Sequence, residues 1–191
     1  MNLLHNRICA SANWADYVRT GLFPAVLDGV DLGEDVLEIG PGLGVTTRAL
    51  AERVSRLTAL EVDEKYVTRL RRELDVEIVH GDAAKMPFPD AAFTGVACFT
   101  MLHHVPTPEL QDRVFAEACR VLRPGGVFAG SDGRVNLRFR VIHLGDTLVP
   151  VDPVTLPARL EAAGFTDVKV SPVPRRVHFT ARKRSEPPTA P

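Results

Sequence analysis

The residues best placed to do chemistry are acids set around a glycine turn. In Val36-Leu37-Glu38-Ile39-Gly40-Pro41-Gly42-Leu43-Gly44-Val45-Thr46-Thr47 an apolar strand passes Glu38, turns through three alternating glycines and enters a helix with two threonines in its first turn. Glycines open backbone angles closed to other residues and remove side chains that would block a ligand. The N–H groups at the helix start then face whatever binds there. The spacing is G-x-G-x-G, whereas the dinucleotide fingerprint is G-x-G-x-x-G; here the third glycine falls one position early. Glu38 sets a carboxylate beside the turn, which is awkward for a pyrophosphate and suited to a ligand bearing positive charge. Glu61, roughly 20 residues past the turn, ends a second strand, where an acid can accept from two ribose hydroxyls.

S-adenosylmethionine, with its sulfonium and ammonium groups, is such a ligand. The stretch Glu38-Ile-Gly-Pro-Gly-Leu-Gly44 resembles the first motif of the class I S-adenosylmethionine-dependent methyltransferases, of the small-molecule, type 11 kind. Gly81-Asp82-Ala83 and Arg120-Val-Leu-Arg-Pro-Gly-Gly-Val127 extend the likeness over about 31–183. The resemblance implies a cofactor site of Glu38, Gly40, Pro41, Gly42, Gly44, Glu61, Val62, Asp82, Ala83, Phe99, Thr100 and His104, with S-adenosylhomocysteine as product. In it Asp82 accepts from the adenine amino group and the next main-chain N–H reaches a ring nitrogen. Read on its own, Asp82 equally fits a turn-former that bonds its own backbone. The family usually has an acid where Thr94 stands, a departure at a structural position.

In the family, residues just past the fourth strand line the methionine end of the cofactor. That makes His103 and His104 candidates for substrate contact, and with His143 the candidates for a general base. The Leu-His-His-Val run also recurs in this family on enzymes with unlike substrates, which favours a packing role. Methyl transfer from an activated donor needs mainly proximity and alignment, so a base is not obligatory. No metal is expected: adjacent histidines lack the i, i+4 spacing of a helical metal pair, and Cys9, Cys98 and Cys119 are far apart and odd in number.

The bulk of the chain sets the frame. Its 191 residues, 45% apolar, suit one domain with a sizeable core. A net charge of −1 gives no basic field for nucleic acid. No apolar run approaches the roughly 18 residues of a membrane span, and residues 1–7 lack the apolar core of a signal peptide. These features, with reduced thiols, predict a cytoplasmic protein.

Alternating strand and helix patterns must position the acids. Strands are expected at 35–39, 57–62, 77–80, 92–99 and 127–130. Helices are expected at 46–54, after Asp63, from Thr107-Pro108 to Arg123-Pro-Gly-Gly126, and at 156–163. Strands at 165–170 and 176–181 match the antiparallel pair that closes the family's fold. Upstream, Asn13 is a candidate cap for a helix with Trp14, Val18, Leu22 and Val26 on one face, interrupted by Gly21 and Pro24. Residues 134–154 have mixed period, so strand and helix both stay open, and their arginines suit either an anionic substrate group or solvent. The expected organisation is an N-terminal helical cap (1–30), a methyltransferase domain (31–184) and a disordered tail (185–191). The fold class is α/β: a doubly wound, about seven-stranded, mostly parallel sheet with a C-terminal antiparallel pair.

The expected partner is a small-molecule methyl acceptor, without nucleic acid or membrane; a homodimer is one way to complete the pocket. Three other functions compete. Residues 36–82 are similar to the front half of the rRNA adenine dimethyltransferases, but their Asn-Leu-Pro-Tyr type motif is replaced here by Phe99-Thr-Met-Leu-His103. Binding of the cofactor without catalysis is a second alternative. A nicotinamide-dependent reductase is disfavoured by the glycine spacing.

Overall fold

The computed structural model describes residues 7–185. The sequence readings on 1–6 and on the tail beyond 185 lie outside the described residues. The strands are β1 (Asp35–Ile39), β2 (Arg56–Glu61), β3 (Glu77–His80), β4 (Phe93–Phe99), β5 (Leu122–Gly133), β6 (Phe165–Val173) and β7 (Arg176–Lys183). They form one sheet in the order β3-β2-β1-β4-β5-β7-β6. The first five run parallel, and β7 pairs antiparallel with both β5 and β6. Order reverses between β1 and β4, which puts a crevice at their carboxyl ends, where open α/β sheets bind ligands.

Period-2 alternation sends each strand's side chains to two cores. Leu37, Ile39, Val96, Cys98 and Phe128 face one, which also holds Val114 and Phe115 of helix α5 (Pro108–Val121) and Leu156 and Leu160 of α7 (Leu156–Ala162). Val36, Ala97, Phe99, Val127 and Ala129 face the other. That second core is closed by α1 (Ala12–Tyr17), a π-helical turn (Val18–Leu22), α2 (Phe23–Leu27) and α3 (Val45–Ala51). Buried on both faces, the central strands read as near-continuous apolar runs. Helix α4 (Glu64–Glu73) is capped by Asp63, whose carboxylate accepts from the Lys65 N–H, and packs Val67 and Leu70 on Ala59 and Ile78.

Three expectations change. Ser11, not Asn13, caps the first helix, accepting from the Trp14 N–H. The expected interruption at Gly21 and Pro24 is a π turn that keeps the helix going, so Val18, Leu22 and Val26 stay buried. Arg123-Pro-Gly-Gly126 does end α5, but β5 begins at Leu122 and runs through it, with an irregular register against β4 between Phe93 and Gly95. Within 134–154 the helix α6 (Leu137–Ile142) forms, capped by Asn136. Thr94 has a structural task of its own: its hydroxyl engages the main chain of Leu32 and Asp35, tying the entry of β1 to β4.

Candidate functional site

A cavity of about 640 Å3 opens at the carboxyl ends of β1, β2 and β4. The glycine turn forms its floor. Gly40, Gly42 and Gly44 all have positive φ, at 69°, 53° and 74°. Gly44 in the left-handed region serves as N-cap of α3. A Cβ on Gly40 would lie 2.1 Å from Met101 Cγ, which crosses over the turn from the β4 side. Gly40→Ala is therefore expected to lower stability by about 1–3 kcal/mol and to abolish ligand binding at the turn. A thermal melt and a titration of Gly40→Ala in a Met101→Ala background check this. The steric share should be recovered there, and the share due to positive φ should remain.

Glu61 holds the turn in place. Its Oε1 accepts from the Val62 and Asp63 N–H groups and its Oε2 from the Gly42 N–H, each at 2.9 Å. A carboxylate has about four lone-pair positions, so room is left for a ligand hydroxyl. Asp82 acts as the turn-former: its Oδ1 accepts from the Ala84 N–H at 2.8 Å, and it also lines the cavity, beside Ala83. Pro41, Phe99, Thr100 and His104 line it too, and Val62 does so at the rim with a side chain 65% exposed. Thr100 is a non-glycine residue at φ 54°, pinned by its N–H to the Ser131 carbonyl at 2.8 Å. This strained position fixes how the chain leaves β4.

Glu38 departs from expectation. It is 1% exposed and does not line the cavity. The Thr46 hydroxyl, from the first turn of α3, donates to its Oε1, while Oε2 has no hydrogen-bond partner among the described residues. Burial pushes its carboxyl up to about 7, against the opposing pull of the Thr46 and Thr47 hydroxyls. The acid thus sits behind the turn as a buried group near neutrality, not as an exposed carboxylate beside it.

The fold gathers the three candidate bases. His103 and His104 lie on a 3-10 turn (Leu102–His104) after β4, and His143 follows α6. Ring centroids are 4.2 Å apart for His103–His104, 4.8 Å for His103–His143 and 5.4 Å for His104–His143. His103 Nδ1 sits 2.5 Å from Asp132 Oδ1, on β5, and its main-chain N–H donates to Oδ2. Burial drives the Asp132 carboxyl up, but His103, the Gly133 N–H and Arg176 outweigh it and hold it below its usual value. His143 Nδ1 lies 2.7 Å from the Phe139 carbonyl, and burial holds its pKa below 6.5. Only His104 of the three lines the cavity, so His103 is a buried member of a His–Asp pair.

The far wall is formed by Cys9, Trp14, Met101, Tyr66 and residues 145–147, and of these Cys9 and Tyr66 carried no signal in the sequence that singled them out as site residues. Cys9 and Trp14 come from the N-terminal segment, which therefore both packs on the sheet and walls the cavity. Arg176 ties it down, its guanidinium 5.3 Å above the Trp14 ring and its Nη1 donating to Ser131 Oγ. Burial, with Arg176 nearby opposing it, raises the Cys9 thiol to about 11. Among the described residues no helix is long and apolar enough to cross a membrane.

The sheet order, the antiparallel closing pair, the glycine turn and the acid ending β2 define a class I S-adenosylmethionine-dependent methyltransferase domain, for which S-adenosylmethionine is the cofactor. Residues 37–130 match the family described as Methyltransferase domain, so this part of the chain is a domain of this class. It is 40% identical over 97 residues to a probable S-adenosylmethionine-dependent methyltransferase from Mycolicibacterium smegmatis, covering 50% of this chain and 37% of that protein. It is 45% identical over 78 residues to a probable ribosomal RNA small subunit methyltransferase A from Thermococcus onnurineus, covering 39% of this chain and 28% of that one. The chain thus spans well under half the length of these curated relatives. A solved S-adenosylmethionine-dependent methyltransferase from Archaeoglobus fulgidus shares the fold, with TM-score 0.77, 17% identity, and coverage of 95% and 98% of the two chains.

Proposed function

We propose that this chain is an enzyme that binds S-adenosylmethionine in the cavity and methylates a small-molecule acceptor. The observation that carries this is one continuous cavity. Its walls join the glycine turn, Glu61 and Asp82 at one end to Trp14, His104 and residues 145–147 at the other. Its volume falls within the range of about 300–1,000 Å3 typical of small-molecule sites. The cofactor fits the residues present. Gly40 keeps open a cradle that a Cβ would fill, and the free Oε2 of Glu38 behind it favours a cationic group.

In this reading Glu61 accepts from one ribose hydroxyl through the position left on Oε2, and Asp82 and the Ala83 N–H address the adenine. Thr100 and His104 border the reacting end. When bound, the cofactor supplies a methyl group already activated on a sulfonium. The chain's own task is to align the acceptor and exclude water. Met101, Leu110 and Val114 give that end an apolar lining. A cytoplasmic setting suits the free cysteines Cys9, Cys98 and Cys119.

Isothermal titration with S-adenosylhomocysteine, and NADH as control, tests the cofactor. Micromolar binding of the first alone is expected; binding of NADH alone would overturn it. A screen against quinols, phenols, amines and fatty acids then tests turnover. The partial likeness to ribosomal RNA methyltransferases motivates one more arm. No salt-sensitive shift of RNA on a gel is expected, and a shift accompanied by methyl incorporation would replace the small-molecule acceptor by RNA.

A further inference from the structure

We infer that His103, His104 and His143 form a binding site for a divalent transition metal of the zinc type at the acceptor end of the cavity. The three residues each offer a ring nitrogen, and these atoms all lie within 4.8 Å of one another. They come from two segments, the 3-10 turn after β4 and the C-terminal cap of α6, so no spacing in the sequence displays the set.

Hydrogen bonds behind two of the rings settle which of their nitrogens carries the proton. A carbonyl oxygen can only accept, so the Phe139 carbonyl requires the proton on His143 Nδ1. Asp132 does the same for His103 Nδ1. In the neutral rings the lone pair therefore stands on Nε2 in both. A carboxylate or carbonyl on the outer nitrogen is the usual support of a metal-ligating histidine; it fixes the tautomer and raises ligand basicity. Asp132 is itself fully buried and held by the Gly133 N–H, so this support is rigid.

The geometry needs only a small adjustment. A tetrahedral zinc with bonds of about 2.0–2.1 Å places its nitrogens about 3.3 Å apart, so the widest pair closes by about 1.5 Å. His104 stands on a single 3-10 turn and His143 at the end of a six-residue helix, and small ring rotations there suffice. Three imidazoles leave the fourth position of a tetrahedral ion open, the pattern of catalytic and not of structural zinc. His104 lines the cavity, so that position communicates with it. A hydroxyl or thiol is the class of acceptor group that would fill it, a consequence that rests on the methyltransferase reading; the metal site does not.

The test uses the full chain without a polyhistidine tag, freed of metal by a chelator and titrated with zinc chloride and, separately, cobalt chloride. One equivalent of zinc is expected to bind. Its affinity should fall at least hundredfold in His143→Ala and in His104→Ala and stay unchanged in His178→Gln, a histidine on β7 outside the cluster. Cobalt should give the intense visible bands of four- or five-coordinate nitrogen ligation. This spectrum is measured on the unsubstituted chain, so it stays decisive if a variant fails to fold. No stoichiometric binding, a weak six-coordinate spectrum, or affinity retained in both cluster variants would overturn the site. S-adenosylhomocysteine titrated into the same samples keeps the two readings apart: a missing metal site leaves that binding intact, whereas a wrong cofactor reading abolishes it with or without metal.

Discussion

Glu61→Ala is expected to weaken S-adenosylhomocysteine binding by at least tenfold and, with both contributions below, by about 10²–10³. One contribution is direct: a hydrogen bond from a ligand hydroxyl to a charged acceptor is worth about 1.5–3 kcal/mol. The other is structural. The N–H groups of Gly42, Val62 and Asp63 all end on this carboxylate, and without it the glycine turn is tied to β2 only by the Gly40 N–H to the Leu60 carbonyl among the described hydrogen bonds. Glu61→Gln should fall in the same direction. An amide offers one oxygen where two are used, and its NH2 would meet one of the N–H donors. Titrating an analogue of the product that lacks the ribose hydroxyls separates the contributions. Wild type should prefer the intact ligand and Glu61→Ala should lose that preference; an equal loss for both ligands would confine Glu61 to holding the turn.

Glu38→Gln should stabilise the ligand-free chain at pH 8 by about 3 kcal/mol while changing little at pH 4. The ordinary value of the group is 4.5, and burial raises it to about 7 in the folded state. Between those values the folded chain keeps a proton that the unfolded chain has released, so stability falls as pH rises across that window. A neutral amide removes the penalty and can still accept from Thr46. Urea midpoints for both proteins at pH 4, 6 and 8 give the result directly. Parallel pH slopes would mean that Glu38 ionises without cost. The same variant should bind S-adenosylhomocysteine more weakly, because the ammonium group loses a countercharge. A buried acid tolerated at a cost in stability is characteristic of a functional position.

Local chemistry explains what could be read in advance. The glycine turn announces itself because three positive-φ positions in five residues admit few other residues. Glu61 and Asp82 could be placed because the first ends a short strand and the second stands in the turn just after one, and strand length fixes where the chain emerges. Glu38 was placed in sequence but not in depth. Thr46 on the next helix donates to it from behind the turn, a contact that period-2 alternation does not specify. Asn13 and Ser11 are both good caps, and only the way the chain enters α1 chose between them. Residues 134–154 were ambiguous because Leu137, Val141 and Leu144 stay exposed, while Phe139 packs on His103 and His143 and Val151 joins the main core.

The sequence by itself determined the fold class, and through its family resemblance the cofactor class, because the motifs that carry both rest on turn chemistry and hydrophobic period, which are local properties. Only the tertiary structure decided the histidine cluster, the burial of Glu38 and the far wall of the cavity. Those depend on segments remote in the chain: Asp132 meets His103 through the pairing of β4 with β5, His143 arrives by way of α6, and Trp14 is held by Arg176 from β7. Side chains meet there because packing leaves them one arrangement, and no spacing along the chain encodes it.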